Sequence, residues 1–365
     1  MMADIDAASV IVASQTGALY HYGFVWLLAV LILPLFFIQE VAGRIGVATG
    51  KGLGELVRES FSRRTSLFVT MPMALVDILS YVAEYAGIAI GMQVLGIPPY
   101  VSLPIAYAVH LGLVAERKYS DYERILLVVS AVFICSYVIS MFRTGITSYT
   151  PFLFEAKPSY FVAMAAIVGA VVMPFMLFFQ TSATAEKGAK DAKGMRLETL
   201  LGAMASEGIM IAIVVSCAGI SSSTNFYSAN GLANGLAAFA GPASPYLFAV
   251  GLVATAFLAL IVISLGSTWG ITEALGWGRK SNFWIIVVET APAILVPLFF
   301  TNLETLIIDL MVLNVFALLV PGILMGVLAA RDKLMGGQTL KGIWKVAFWT
   351  SLFVVVATGF LAVLF

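Results

Sequence analysis

The sequence predicts an all-α protein that crosses a membrane many times. Three observations carry that expectation: 61% of the 365 residues are hydrophobic and only 11% charged, apolar stretches recur from Tyr22 to Phe365, and the basic residues collect in short segments between them. A membrane span needs ~20 predominantly apolar residues, and a soluble domain carries roughly 25% charged ones. The net charge is zero, so no basic face points to nucleic acid. Cys135 and Cys217 both lie in apolar runs and read as packing thiols. The N-terminus lacks a basic, then apolar, then small-residue cleavage pattern, so the chain is expected to insert through its own spans.

Hydropathy read against breakers places ten helices, and taking them in order gives an orientation. The helix at 22–45 runs into Arg44, Lys51, Arg58, Arg63 and Arg64; 66–94 returns, and 99–115 leads to Arg117, Lys118 and Arg124. The helix at 124–142 returns toward Arg143 and Lys157, and 160–185 leads to Lys187, Lys190, Lys193 and Arg196. The helix at 197–220 returns, 245–275 leads to Arg279 and Lys280, 281–300 returns, 304–329 leads to Arg331, Lys333, Lys341 and Lys345, and 343–364 closes the chain. Simple alternation puts all but Arg143 and Lys157 of the 20 basic residues on one side. Insertion places such loops in the cytoplasm, which for a bacterial chain means a multi-pass protein of the inner membrane.

The acids behave differently. Asp77, Glu84, Glu207, Glu289 and Asp309 lie within the apolar spans, where no Lys or Arg accompanies them. A charge in the hydrocarbon core is costly, so these groups are expected to face a cavity, a neighbouring helix or a cation. Asp77, Tyr81 and Glu84 are spaced by four and three residues and share one helix face.

Two segments read as broken. Pro174 has no N–H and its ring clashes with the carbonyl four residues back, so the helix should break near Ala170 and leave that carbonyl free. This is either a plain kink or the unwound backbone with which discontinuous helices coordinate cations. At the N-terminus Asp4 and Asp6 precede an apolar stretch through Gly17. Asp6 or Ser9 is there either a helix cap at the interface or an ion ligand at the midplane.

Three stretches resemble the NRAMP family of divalent metal transporters: Gln39 to Leu56, with Arg44-Ile45-Gly46 and Thr49-Gly50-Lys51; Gly169-Ala170-Val171-Val172-Met173-Pro174; and Asn314 to Pro321 continuing to Arg331 to Gly336. The divergent branch with magnesium and manganese transporting members is the most similar, because Asp6-Ala7-Ala8-Ser9, Asp4, Phe175 and Phe178-Phe179-Gln180 are similar to its motifs. The resemblance implies a LeuT-like fold of two inverted five-helix repeats plus an eleventh helix. Residues 1–143 would form the first repeat, 160–330 the second and 341–365 helix 11. The first half of helix 1 would be missing from this chain.

The resemblance further implies a metal site of Asp6, Ser9, the Ala3 and Ala170 carbonyls, Met173 and Asn314, with Asp4, Tyr81, Glu84 and Gln180 around it or on the ion path. Asp4 reads equally as a solvated residue. Carboxylate and carbonyl oxygens suit Mn2+ or Mg2+, while a thioether favours transition metals over Ca2+ and Mg2+. The expected function is transport of Mn2+, with Fe2+ or Mg2+ as alternatives, by alternating access. Phe175 stands where the family has histidine, Tyr81 where it commonly has aspartate and Lys187 where it has arginine, so the usual proton coupling is not expected. The expected partners are the metal as substrate and the lipid bilayer, with no cofactor, and the protein is expected to be a monomer. An amino-acid or organic-ion transporter on the same frame is the competing reading, although Ala7-Ala8 is a poor glycine-type break. A receptor that kept the fold is a third. An enzyme is not expected, since His21 and His110 lie on different segments and no nucleophile or zinc spacing occurs. His21, between Tyr20 and Tyr22, reads as an interfacial residue.

Overall fold

A helix satisfies each backbone N–H and C=O within itself, which is why so apolar a chain folds as helices in a bilayer. The computed structural model describes residues 5–61, 63–115, 150–188, 191–220, 241–278 and 281–365, together with 231, 234, 235 and 237. Among them the regular elements are α1 (Ala7–Tyr20), α2 (Val25–Thr49), α3 (Leu53–Ser60), α4 (Arg63–Val94), α5 (Pro99–Ala115), α6 (Pro158–Val171), α7 (Pro174–Glu186), α8 (Ala192–Cys217), α9 (Ser244–Leu275), α10 (Asn282–Phe299), α11 (Leu303–Ala317), α12 (Leu319–Ala329), α13 (Asp332–Met335) and α14 (Gly342–Leu364), with a 3-10 turn at Gly336–Gln338.

Among the described residues eight stretches are long and apolar enough to span a membrane, and α5 is a shorter apolar helix. The protein is a multi-pass integral membrane protein. Nine of the ten expected helices are present within a few residues of their expected bounds. The tenth, at 124–142, lies outside the described residues.

The departures have local causes. The expected break near Ala170 falls later, because the Val172 N–H still reaches the Val168 carbonyl at 3.0 Å. The helix therefore runs through Val171, and Val172 and Met173 are extended before Pro174 opens α7 at its first position. The expected helix 304–329 is divided at Leu318. Pro321 cannot bond the Ala317 carbonyl, so α11 closes there. The amphipathic α3 was not foreseen: it is eight residues long and buries Leu53, Leu56 and Val57 beside charged Lys51 and Glu59.

The N-terminal segment is helical from Ala7 onward and buried through Ala18. It packs against α4, α6, α8, α9 and α11 and so occupies the middle of the bundle. Close approach to α8 depends on Gly17, since a Cβ there would strike the Val214 carbonyl. His21 ends α1 with φ 54°, and its Nδ1 lies 2.7 Å from the Ala218 carbonyl, so it pins the turn after α1. The same tight packing joins α6 to α11, where a Cβ on Gly169 would collide with the Met311 carbonyl.

Of the intramembrane acids, Asp77, Glu84, Glu207 and Glu289 are buried as expected. Asp309 is not: it is exposed, two turns from the start of α11.

Candidate ion site

The interruption between α6 and α7 and the start of α1 meet in the bundle interior. Asp6 is the N-cap of α1, extended at φ −106° and ψ −180°, and its Oδ1 accepts the Ser9 N–H at 2.7 Å. Capping satisfies one of the four orphan N–H groups at a helix start. Asp6 is therefore a cap, and this cap is buried rather than interfacial. Its Oδ2 is buried and receives no hydrogen bond.

Glu84 reaches the same helix start. Its Oε2 accepts the Ala7 N–H at 3.1 Å, and its carboxyl faces that of Asp6. The approach is set three residues later on α4, where a Cβ on Gly87 would strike Ala7. Two buried carboxyls therefore share the positive end of α1, which favours negative charge. Among the described residues no ion pair engages either of them.

The Ala170 carbonyl is released because Pro174 offers no N–H, and the Ser9 hydroxyl donates to it at 3.1 Å. It is therefore not bare, as the sequence implied, but a carbonyl keeps a second lone pair. Met173 is extended, at φ −98° and ψ 138°, and buried at the break.

Other expected residues stand further off or are engaged elsewhere. Asn314 is buried on α11 and its Nδ2 donates to Met311 Sδ at 3.6 Å. The Tyr81 hydroxyl donates to Ser264 Oγ at 3.0 Å. Gln180, two turns along α7 from Met173, is half-buried with its amide toward Gly43 of α2. Ala3 and Asp4 lie outside the described residues. Phe175 is fully buried, two residues along the chain from Met173, and its ring carries no titratable proton.

Two further contacts were not legible in the sequence. Gln39 donates to Met176 Sδ at 3.3 Å, tying α2 to the first turn of α7. His110 is enclosed by hydroxyls, with Tyr85 at 2.8 Å from Nδ1 and Ser264 at 3.0 Å from Nε2. The buried polar spacing of α4 and α9 was the available signal for the second.

On the basic-loop side, Glu40 accepts from Arg44 at 2.8 Å and from Arg196 at 2.6 Å, and both guanidinium groups lie over the Trp344 ring, at 5.1 and 4.7 Å. This cluster joins α2, α8 and α14. Nearby, a cavity of about 390 Å³ is lined by Lys51, Arg58, Glu186 and Glu273 among others.

A family model described as natural resistance-associated macrophage protein-like, Nramp, matches residues 1–364. The divalent metal cation transporter MntH of Deinococcus radiodurans is 25% identical over 369 residues, covering 94% of this chain and 83% of that protein. MntH of Verminephrobacter eiseniae is 26% identical over 191 residues, covering 50% of this chain and 44% of that protein, so the match spans less than half of that relative's length. Among solved structures, a manganese transporter of Eremococcus coleocola superposes with a TM-score of 0.80 at 18% identity, over 98% of this chain and 83% of that one. MhsT in complex with L-phenylalanine superposes with a TM-score of 0.57 at 14% identity, over 98% and 97%. At these identities the superpositions speak to the fold, which is the all-α LeuT-like one.

Proposed function

The chain belongs to the Nramp family, and from that premise we propose that it carries divalent metal cations across the membrane by alternating access, Mn2+ ahead of Fe2+ and Mg2+. The observation that carries the reading is the buried, unpartnered Oδ2 of Asp6 beside a second carboxyl and a helix break. Buried carboxylates without a base require a cation or a proton.

In this reading Asp6 and Met173 are direct ligands. The Ala170 carbonyl and Ser9 hydroxyl supply oxygens from one hydrogen-bonded pair, Asn314 turns from Met311 to the ion, and Ala3 supplies a carbonyl. Glu84 balances charge from α4. The thioether disfavours Ca2+ and Mg2+ relative to Mn2+ or Fe2+. Residues 1–143 and 160–330 act as the two repeats, with 341–365 as the added helix, in a monomer. Alternating access would then be a rocking of the interrupted helices around the site.

An amino-acid substrate fits less well. Its carboxylate needs free N–H groups at a helix start, yet the Ala7 and Ser9 N–H groups are held by Glu84 and Asp6. The same two acids would repel it.

Uptake of 54Mn2+ into proteoliposomes tests the reading, with loss to background expected in Asp6→Ala. Because Phe175 cannot carry a proton, Mn2+ entry is expected without acidification of the lumen. Acidification that tracks Mn2+ entry would reject the uncoupled mechanism while leaving the substrate in place.

A further inference from the structure

A second group of acids lies away from the Asp6 site. Glu289 of α10 is buried, and its two carboxyl oxygens accept from Ser267 Oγ of α9 at 2.8 and 2.7 Å. Asp77 of α4 faces the same hydroxyl and carboxyl. Asp77 is fully buried, and neither of its oxygens receives a hydrogen bond. It stands two helical turns from Glu84, about 10 Å along α4.

The surrounding donors are spent elsewhere. Thr268 donates to the Ser264 carbonyl and Thr290 to that of Ile286. Tyr81 donates to Ser264, Ser264 to the Leu260 carbonyl, and both His110 ring nitrogens are engaged. Residues 74–94, 99–115, 244–275 and 282–299 contain no Lys or Arg, so a countercharge to these acids has to come from outside these stretches. A proton shared between the two carboxyls would leave one oxygen of Asp77 and one of Glu289 competing for the single Ser267 proton; a cation lodged between the carboxylates meets both acids.

We propose that Asp77, Glu289 and Ser267 form a second cation site, separate from Asp6 and Met173 and built for a hard ion. The ligand atoms are all oxygen, with neither thioether nor free imidazole, which selects ions of the Na+ or Ca2+ kind and not soft transition metals.

The test is equilibrium binding of 22Na+ and of 45Ca2+ to the purified full chain in detergent, in wild type, Asp6→Ala, Asp77→Asn and Glu289→Gln. One of the two isotopes is expected to bind, binding to survive Asp6→Ala, and affinity to fall at least about tenfold in Asp77→Asn or Glu289→Gln, since affinity follows the charge count of the ligands. Which isotope binds identifies the ion. If Asp77→Asn does not assemble, Glu289→Gln carries the test alone. Binding of neither isotope by wild type would leave the acids as a protonated pair and overturn the proposal. So would binding lost in Asp6→Ala, or binding unchanged in both carboxyl variants. The Asp6→Ala arm keeps the result separate from the fate of the transport reading.

Discussion

The Ser9 hydroxyl donates to the Ala170 carbonyl at 3.1 Å, joining the first turn of α1 to the end of α6 across 161 residues of sequence. The bond is possible because Pro174 cannot use that carbonyl, and it links the two halves of the proposed site.

Ser9→Ala should loosen that link without removing the Asp6 cap, which uses the Ser9 backbone N–H. A net hydrogen bond contributes about 0.5–1.5 kcal/mol. Mn2+ affinity measured by calorimetry is therefore expected to fall by up to about tenfold, with Asp6→Ala far more damaging.

Met173→Ala separates selectivity from binding. On the proposed site the oxygen ligands remain, so Mn2+ is expected still to bind while the preference over hard ions shrinks. Competition of Ca2+ and Mg2+ against 54Mn2+ uptake reads this. Unchanged discrimination would remove Met173 from the site.

Gly169→Ala tests the α6–α11 approach. Its Cβ would meet the rigid Met311 carbonyl, and overpacking of this kind costs about 1–3 kcal/mol. A lower Tm and weaker Mn2+ binding are expected together. By contrast Gly112→Ala, where nothing lies within 4 Å, should leave both unchanged.

Arg44→Leu leaves Glu40 buried with a single partner. Breaking a buried pair typically costs about 3–5 kcal/mol, and the remaining Arg196 should hold the loss to the lower end of that range. Arg196→Leu should cost less, because Arg196 is part-exposed and Arg44 keeps both Glu40 oxygens occupied. Thermal unfolding in detergent ranks the two.

Much of this was legible in the sequence, since hydropathy, proline and the basic-loop bias act locally. Spans such as 245–275 and the Met173-Pro174 break follow from apolar length and a missing N–H, and Asp6 announced itself as an acid at a helix start. What escaped were pairings set by packing. Nothing in the sequence around Glu84 says that it meets the Ala7 N–H; that depends on Gly87 admitting α1. Nor could spacing alone say that the freed Ala170 carbonyl is met by Ser9, or that Asp77 faces Glu289 from another helix. Asp309 shows the converse: an acid within an apolar run that points outward.

The most direct test is to locate the ion by anomalous scattering from crystals grown with Mn2+. A single strong manganese peak within about 2.2 Å of Asp6 Oδ2 and in contact with Met173 Sδ is the predicted result. A peak bound elsewhere, with the Asp6 carboxyl free of metal, would contradict it.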